Sequence, residues 1–185
     1  MVVAAFCLIY AQAAWAKGLE QLPYTSIQAS YFQLDFDSGL DADGIAADVS
    51  FDVGGNMFIL GGYGSGKTDR HQAKFSGFGF GLGYHHALNP TVDLVPTLTY
   101  IDATTEFPSY DVDDTGWSAG LGLRALVSPQ IELAGGVEYT DLYNDRDTSY
   151  ELEAYFYPLD KLGLGVGYDI SEDVDTLLLT ARVLF

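Results

Sequence analysis

Gly116-Trp117-Ser118-Ala119-Gly120-Leu121-Gly122-Leu123-Arg124-Ala125-Leu126-Val127 is the stretch on which the fold turns. Trp117, Ala119, Leu121, Leu123, Ala125 and Val127 fall on one parity, and Gly116, Ser118, Gly120, Gly122, Arg124 and Leu126 on the other. Successive side chains of a strand point to opposite faces, so this alternation reads as a strand with one apolar face. It outlasts the usual strand of about five or six residues in soluble proteins. The same period recurs up and down the chain. Ile45, Ala47, Val49, Phe51 and Val53 alternate with Ala46, Asp48, Ser50 and Asp52, and Phe78, Phe80, Leu82 and Tyr84 alternate with Gly77, Gly79, Gly81 and Gly83. Val92 to Tyr100, Ile131 to Tyr139, Leu152 to Phe156, Leu162 to Ile170 and Leu177 to Phe185 behave alike. Tyr24 to Phe36 slips in alternation near Tyr31-Phe32, which suggests a bulge. Met57 to Tyr63 offers no contrast from which a facing is assigned.

Glycine decides which way the apolar face points. If it pointed inward, as in a soluble barrel, the glycine-rich faces of 77–83, 116–122 and 163–167 would meet water, where glycine weakens a strand and solvates nothing. If it points to lipid, those glycines relieve crowding inside a narrow barrel. With a three-residue turn at 158–160, Gly163, Gly165 and Gly167 are expected opposite Tyr155, Glu153 and Glu151. Outward aromatics gather toward strand ends at Tyr84, Tyr100, Trp117, Tyr139, Tyr168 and Phe185, as membrane girdles do.

The fold expected is all-β, a transmembrane antiparallel up-and-down barrel of ten strands, with eight as the alternative. The strands fall near 24–36, 45–53, 56–64, 74–86, 91–102, 115–127, 130–141, 148–157, 161–170 and 175–185. An even count puts both termini on one side. Short turns at 54–55, 87–90, 128–130 and 158–160 alternate with longer connections at about 37–44, 65–73, 103–114, 142–147 and 171–174, the rim asymmetry of an outer-membrane barrel.

Composition agrees. The chain has 185 residues with 8 Lys+Arg against 26 Asp+Glu, a net charge of −18, and 14% aromatic residues. One domain is the expectation for that length, and the aromatic content excludes an acidic disordered chain. A surface so acidic repels phosphate backbones, which excludes nucleic acid as a partner. Residues 1–16 are uncharged and end on Ala14-Trp15-Ala16, the small-x-small pattern of a signal-peptidase site. They read as a signal peptide whose basic start is missing, followed by a barrel domain over 17–185. Cys7, the single cysteine, lies in that segment, so the mature chain is expected to lack disulfides and thiol ligands.

The terminal run Asp175-Thr-Leu-Leu-Leu-Thr-Ala-Arg-Val-Leu-Phe185 resembles the carboxy-terminal signal read by the barrel assembly machinery. Together with the signal segment and the ten runs, the chain resembles the small proteobacterial outer-membrane barrel families, broadly the OmpA-like and OmpX-like porin-fold proteins. Gly81-Leu-Gly-Tyr-His85 with Asp93-Leu-Val, and Gly120-Leu-Gly-Leu-Arg124, are similar to a ten-stranded branch of them. The resemblance implies a bacterial outer-membrane location and a monomer among lipid and lipopolysaccharide. It hands over no catalytic motif and no cofactor.

Other motifs are weighed on their chemistry. Gly61-Gly-Tyr-Gly-Ser-Gly66-Lys67-Thr68 satisfies the phosphate-loop pattern, but that pattern works only where a helix opens at its lysine, and the alternate glycines of 77–83 forbid one. It reads as an extracellular loop. Inward charges are expected at Asp48, Asp52, Asp93, Glu132, Glu138, Glu151, Glu153, Arg124 and Arg182. Arg124 is expected opposite Ala134 and diagonal to Glu132, with Glu153 another candidate partner. Such charges read either as a salt-bridge network plugging the lumen or as the lining of a narrow, cation-preferring passive pore. Asp169 is grouped with the acids of the outer loops, as are Asp41 and Asp43, whose spacing fits a calcium loop poorly. His85 and His86 face opposite sides of a strand and cannot chelate together. The function expected is a non-enzymatic surface-exposed barrel, the alternative being a barrel protease or lipid A-modifying enzyme with a rim site near His71.

Overall fold

The computed structural model describes residues 24–69, 73–143 and 145–185. They form eleven strands and no helix: β1 (Ser26–Phe36), β2 (Leu40–Gly54), β3 (Met57–Thr68), β4 (Lys74–Tyr84), β5 (His86–Asn89), β6 (Val92–Phe107), β7 (Tyr110–Ser128), β8 (Ile131–Leu142), β9 (Asp145–Leu159), β10 (Leu162–Ile170) and β11 (Val174–Leu184). β4 and β5 pair with β6 in one continuous register, Gly83 opposite Thr97 and His86 opposite Leu94. They are two parts of a single stave interrupted at His85, whose backbone N–H still donates to the Asn56 carbonyl at 2.9 Å. Every neighbouring pair is antiparallel, and β1 meets β11 from Ser26–Leu184 to Phe36–Val174, which closes the sheet into a barrel of ten staves.

The two faces of each stave are sorted as the period demands. On β1, Ser26, Gln28, Ser30, Phe32, Leu34 and Phe36 are buried in the lumen while the residues between them are exposed on the outer wall. The outer wall carries an apolar band that includes Ile45 at 65% exposure and Leu152 at 70%, with Val49, Phe80, Leu98, Leu121 and Leu179. A continuous apolar belt of this kind has no place in water and matches the hydrocarbon of a bilayer. The glycines line the other side and make room for aromatic rings. A Cβ on Gly44 would strike the Phe32 ring, one on Gly66 the Phe75 ring, and one on Gly165 the Tyr155 ring.

Three expectations from the sequence are corrected, and one facing that the sequence left open is assigned. β1 runs through Tyr31-Phe32 without a register shift; the alternation is blurred because Phe32, Leu34 and Phe36 are apolar residues of the lumen. The facing of Met57–Tyr63 is settled, with Phe58, Leu60 and Gly62 inward and Ile59, Gly61 and Tyr63 outward. The long connections are in fact short, because the staves continue past the apolar band: β6 and β7 stay paired up to Phe107–Tyr110. Finally, β9 extends to Leu159 and the turn tightens to 160–161, so Gly165 lies opposite Tyr155 and Gly167 opposite Glu153, while Gly163 packs on Tyr157. The rim with turns 55–56, 90–91, 129–130 and 160–161 is called the near rim below, and the opposite one the far rim.

Candidate functional site

The lumen is built in layers. At the near rim, Tyr24 stacks on Phe58 with ring centres 4.9 Å apart and on His85 at 3.9 Å, and its hydroxyl donates to Asp93 Oδ2 at 2.5 Å. Leu60 and Val95 complete this cluster. Above it lies the charged layer. Arg124 donates from Nε to Glu132 Oε1, and from Nη2 to Oε2 at 2.6 Å, a bidentate pair; Tyr157 donates its hydroxyl to the same Oε2 at 2.8 Å. Arg182 places Nη1 3.8 Å from Glu132 Oε1, donates from Nε to Gln28 Oε1 at 3.0 Å, and lies over the Tyr155 ring at 3.7 Å. Gln28 in turn donates to Asp48 Oδ2 at 3.3 Å, and Tyr155 to Glu153 Oε1 at 3.2 Å. Glu132 and Arg182 are both 0% exposed. One carboxylate thus faces two guanidinium groups in a place closed to water, where ions persist only if paired.

The register explains why these residues meet. Arg124 sits opposite Ala134, so its long side chain crosses diagonally to Glu132 on the same stave, whereas Glu153 lies opposite Ala134 on the other side. Arg182 reaches Gln28 directly across the β1–β11 seam.

A second group of acids stands apart. Glu151 is opposite Gly136 on one side and Asp169 on the other, and Glu138 accepts from Thr140 at 3.5 Å. Asp169 is buried at 1% exposure in the lumen, a correction to its assignment to the outer loops; β10 carries the Gly163, Gly165, Gly167 face straight on to it. Among the described residues no Arg or Lys is ion-paired with Glu138 or Glu151. Asp52 belongs to neither group: it lies exposed at the near rim and caps the Gly54 N–H at 2.7 Å.

Toward the far rim the lumen turns apolar. Phe32, Leu34, Phe36, Ala42, Ala46, Phe75, Ile101, Ala103, Leu142, Val174 and Leu178 form one buried cluster, with Phe32 and Phe75 centred 6.1 Å apart.

The six aromatic residues singled out as girdle positions stand on the outer wall. Tyr84 and Phe185 are near the near rim, Tyr100 leans on Phe80 at 5.2 Å, Trp117 on Tyr139 at 5.5 Å, and Tyr168 donates to Asp175 Oδ2 at 2.7 Å. The phosphate-loop match is neither loop nor helix start: Gly61 to Thr68 lies within β3, hydrogen-bonded between β2 and β4. Its backbone N–H groups cannot converge on a phosphate. His85 points inward and His86 outward, while His71 and the segment 1–16 lie outside the described residues. Among the described residues no group of three metal-ligating side chains converges. Sequence reading missed Tyr24, Gln28 and Tyr157, because aromatic and amide side chains on an inward parity carry no charge signal; Tyr155 was expected inward, as a bulky neighbour of glycine, but not as a partner of the charged layer.

No curated protein matches the chain. Solved structures share the fold at low identity. The KdgM porin in complex with disordered oligogalacturonate is similar over 86% of this chain and 99% of its own, with 9% identity and a TM-score of 0.52. The COG4313 outer membrane channel from Pseudomonas putida F1 covers 92% and 99%, with 14% identity and a TM-score of 0.55. The translocator domain of autotransporter NalP from Neisseria meningitidis covers 98% and 94%, with 11% identity and a TM-score of 0.56. Residues 2–169 match the outer membrane protein beta-barrel domain. The closed barrel with its apolar outer wall agrees with that match, and the chain belongs to the outer membrane protein beta-barrel family of the bacterial outer membrane.

Proposed function

We propose that this protein is a non-enzymatic, non-conducting barrel that works as a structural element of the outer membrane and turns its acidic far rim to the outside of the cell. One observation carries the reading: the lumen is filled twice across its section. The Arg124–Glu132–Tyr157–Arg182 layer is one barrier and the Phe32–Phe75–Ile101 layer the other, with Arg182, Glu132, Phe32 and Ile101 all at 0% exposure. An ion crossing the first would compete with a buried bidentate pair, and one crossing the second would shed its hydration against phenyl rings.

A cation-preferring pore is the competing reading. It draws on Glu138 and Glu151, which face the lumen with no base ion-paired to them among the described residues, on Asp169 opposite Glu151, and on the porin and channel among the fold neighbours. Conductance of the purified barrel in planar bilayers separates the two. The expected result is no current above that of the bare membrane from low to molar salt. A steady single-channel current with cation preference would sink the plugged reading.

A further inference from the structure

At the far rim the ladder between β7 and β8 stops at Trp117–Asp141 and β8 ends at Leu142, while β7 continues from Gly116 to Tyr110, paired among the described residues with β6 alone. This stretch lies beyond the girdle residue Trp117, on the water side of the apolar band. Phe107 and Tyr110 close the hairpin across a two-residue turn, so Tyr110 faces its N–H and C=O to β6 and alternate residues after it face theirs away. Asp111, Asp113 and Thr115 therefore turn backbone groups to the side that β8 has left. The Thr115 N–H agrees, since it donates to Asp114 Oδ1 at 2.8 Å instead of to a carbonyl of β6. The margin is also held in place. The Phe107 and Tyr110 rings stack with centres 4.8 Å apart, and Thr104 donates to Asp113 Oδ1 at 2.7 Å. From the β8–β9 turn, Tyr143 adopts a φ of 56°, rare outside glycine, and sets its hydroxyl 3.0 Å from the Ala103 carbonyl and 3.3 Å from that of Val112. One side chain thus ties the neighbouring turn to both strands of the hairpin.

We infer that this edge of β7 receives an extended, basic segment of another protein as an added strand. An open strand edge in water is a template for pairing, and one already ordered loses little entropy when a partner joins it. The side chains select the partner. Tyr110 to Gly116 reads Tyr-Asp-Val-Asp-Asp-Thr-Gly, three carboxylates without a base. The bases on nearby staves are already matched. Along the row Asp43, Lys67, Lys74 and Glu106, two acids balance two lysines, and Asp111 adds one more carboxylate directly opposite Glu106. Arg146 donates to Asp141 Oδ2 at 3.2 Å. No ion pair within 4.0 Å joins Asp111, Asp113 or Asp114 to a described base. A second copy of this chain, paired edge to edge about a two-fold axis, would set these acids against their own counterparts, which repels it. A strand with Lys or Arg at alternate positions meets them with opposite charge across the new ladder and takes up the backbone groups of Asp111 and Asp113.

As a contact of the cell surface the edge rests on the proposed reading that the far rim faces outward, which a separate experiment tests: a Ser109→Cys variant, at the β6–β7 tip, is expected to react with a membrane-impermeant maleimide on intact cells, and labelling only after lysis would overturn the orientation. Strand addition itself is measured on purified barrel in phosphatidylcholine nanodiscs, where both rims are accessible, by fluorescence anisotropy of a labelled peptide of alternating Lys and Thr. Wild type is expected to bind it at least tenfold more tightly than the same peptide N-methylated at every residue, which keeps the charges and lacks backbone donors, and than a peptide of alternating Glu and Thr. Asp113→Pro removes an edge N–H that β6 does not use, and is expected to abolish binding. Asp111→Asn/Asp113→Asn narrows the preference for Lys over Glu, whereas Asp160→Asn at the near rim changes neither. Heat-modifiable gel migration reports that each variant is folded. Equal binding of the N-methylated peptide, or undiminished binding by folded Asp113→Pro, would overturn strand addition by showing a contact of charges alone. Absence of binding to wild type would overturn the site, and a barrel dimer that Asp113→Pro dissolves would overturn the partner in favour of a second copy.

Discussion

Replacing Glu132 by Gln keeps the shape of the side chain and removes one negative charge from the layer that bears two guanidinium groups. Glu132 takes both hydrogen bonds of the bidentate pair from Arg124, a third from the Tyr157 hydroxyl, and lies 3.8 Å from Arg182. Without it Arg124, at 2% exposure, loses the carboxylate that binds it in bidentate fashion, and Arg182 loses a nearby negative charge while keeping its contacts to Gln28, the Tyr157 hydroxyl and the Tyr155 ring. Breaking a buried pair by neutralising one partner costs about 3–5 kcal/mol, a large share of the roughly 5–15 kcal/mol that folded domains possess. Glu138→Gln is the internal control, because that carboxylate has Thr140 beside it and no ion-paired base among the described residues. Its replacement is expected to change stability by less than about 0.5 kcal/mol or to raise it, since an unpaired buried charge is lost. Urea unfolding of the reconstituted barrel, followed by Trp117 fluorescence and gel mobility, measures both. Adding Arg124→Met to Glu132→Gln is expected to restore more than about 1 kcal/mol by removing the orphaned cation. Equal midpoints for the two single variants, or no recovery in the double, would refute the claim that Glu132 holds the lumen charges together.

Three further outcomes are expected. Leu98→Lys, placed on the apolar band, should lower the stability of the membrane-inserted barrel by about 2–4 kcal/mol, which urea titration in vesicles checks; a soluble barrel with the same face in water would tolerate it. Gly165→Val should cost at least about 1–3 kcal/mol because its side chain would enter the Tyr155 ring, which Arg182 pins from above, whereas Gly39→Ser, in open space at a far-rim turn, should cost less despite its positive φ of 71°; comparing heat-modifiability midpoints tests the order. Phe32→Ala/Phe75→Ala should loosen the barrel by several kcal/mol, about 3–5 for each buried ring, and yet leave it non-conducting in planar bilayers, because the charged layer still closes the section.

Much of the fold was legible because period two and the position of glycine are read from the chain directly. The diagonal reach of Arg124 to Glu132 followed from parity and one turn length. Other features were hidden for physical reasons. On β1 the inward residues Phe32, Leu34 and Phe36 are as apolar as a lipid-facing set, so the contrast between faces vanished where the plug is made. On β3 the neighbours Gly61 and Gly62 point to opposite sides and look alike. The far-rim acids were taken for loops since polarity rises where a stave leaves the hydrocarbon, but leaving the membrane is not leaving the sheet: Asp41, Asp43 and Asp111 remain in the ladder. Buried Asp169 was lost for the same reason. Tyr157 escaped notice, and Tyr155 was read only as bulk opposite glycine, because a tyrosine on an inward parity resembles a filler until its hydroxyl is seen on a carboxylate.

The seam between β1 and β11 has a bearing on how such a wall is assembled. Its rungs join residues as far apart in the chain as Ser26 and Leu184. Before those rungs form, the sheet has two open margins whose amide and carbonyl groups lack partners, and each would cost several kcal/mol in hydrocarbon. A partly zipped sheet therefore cannot wait inside the bilayer for its last stave. Either closure and entry occur together, or another surface must shelter both margins until Phe36 meets Val174.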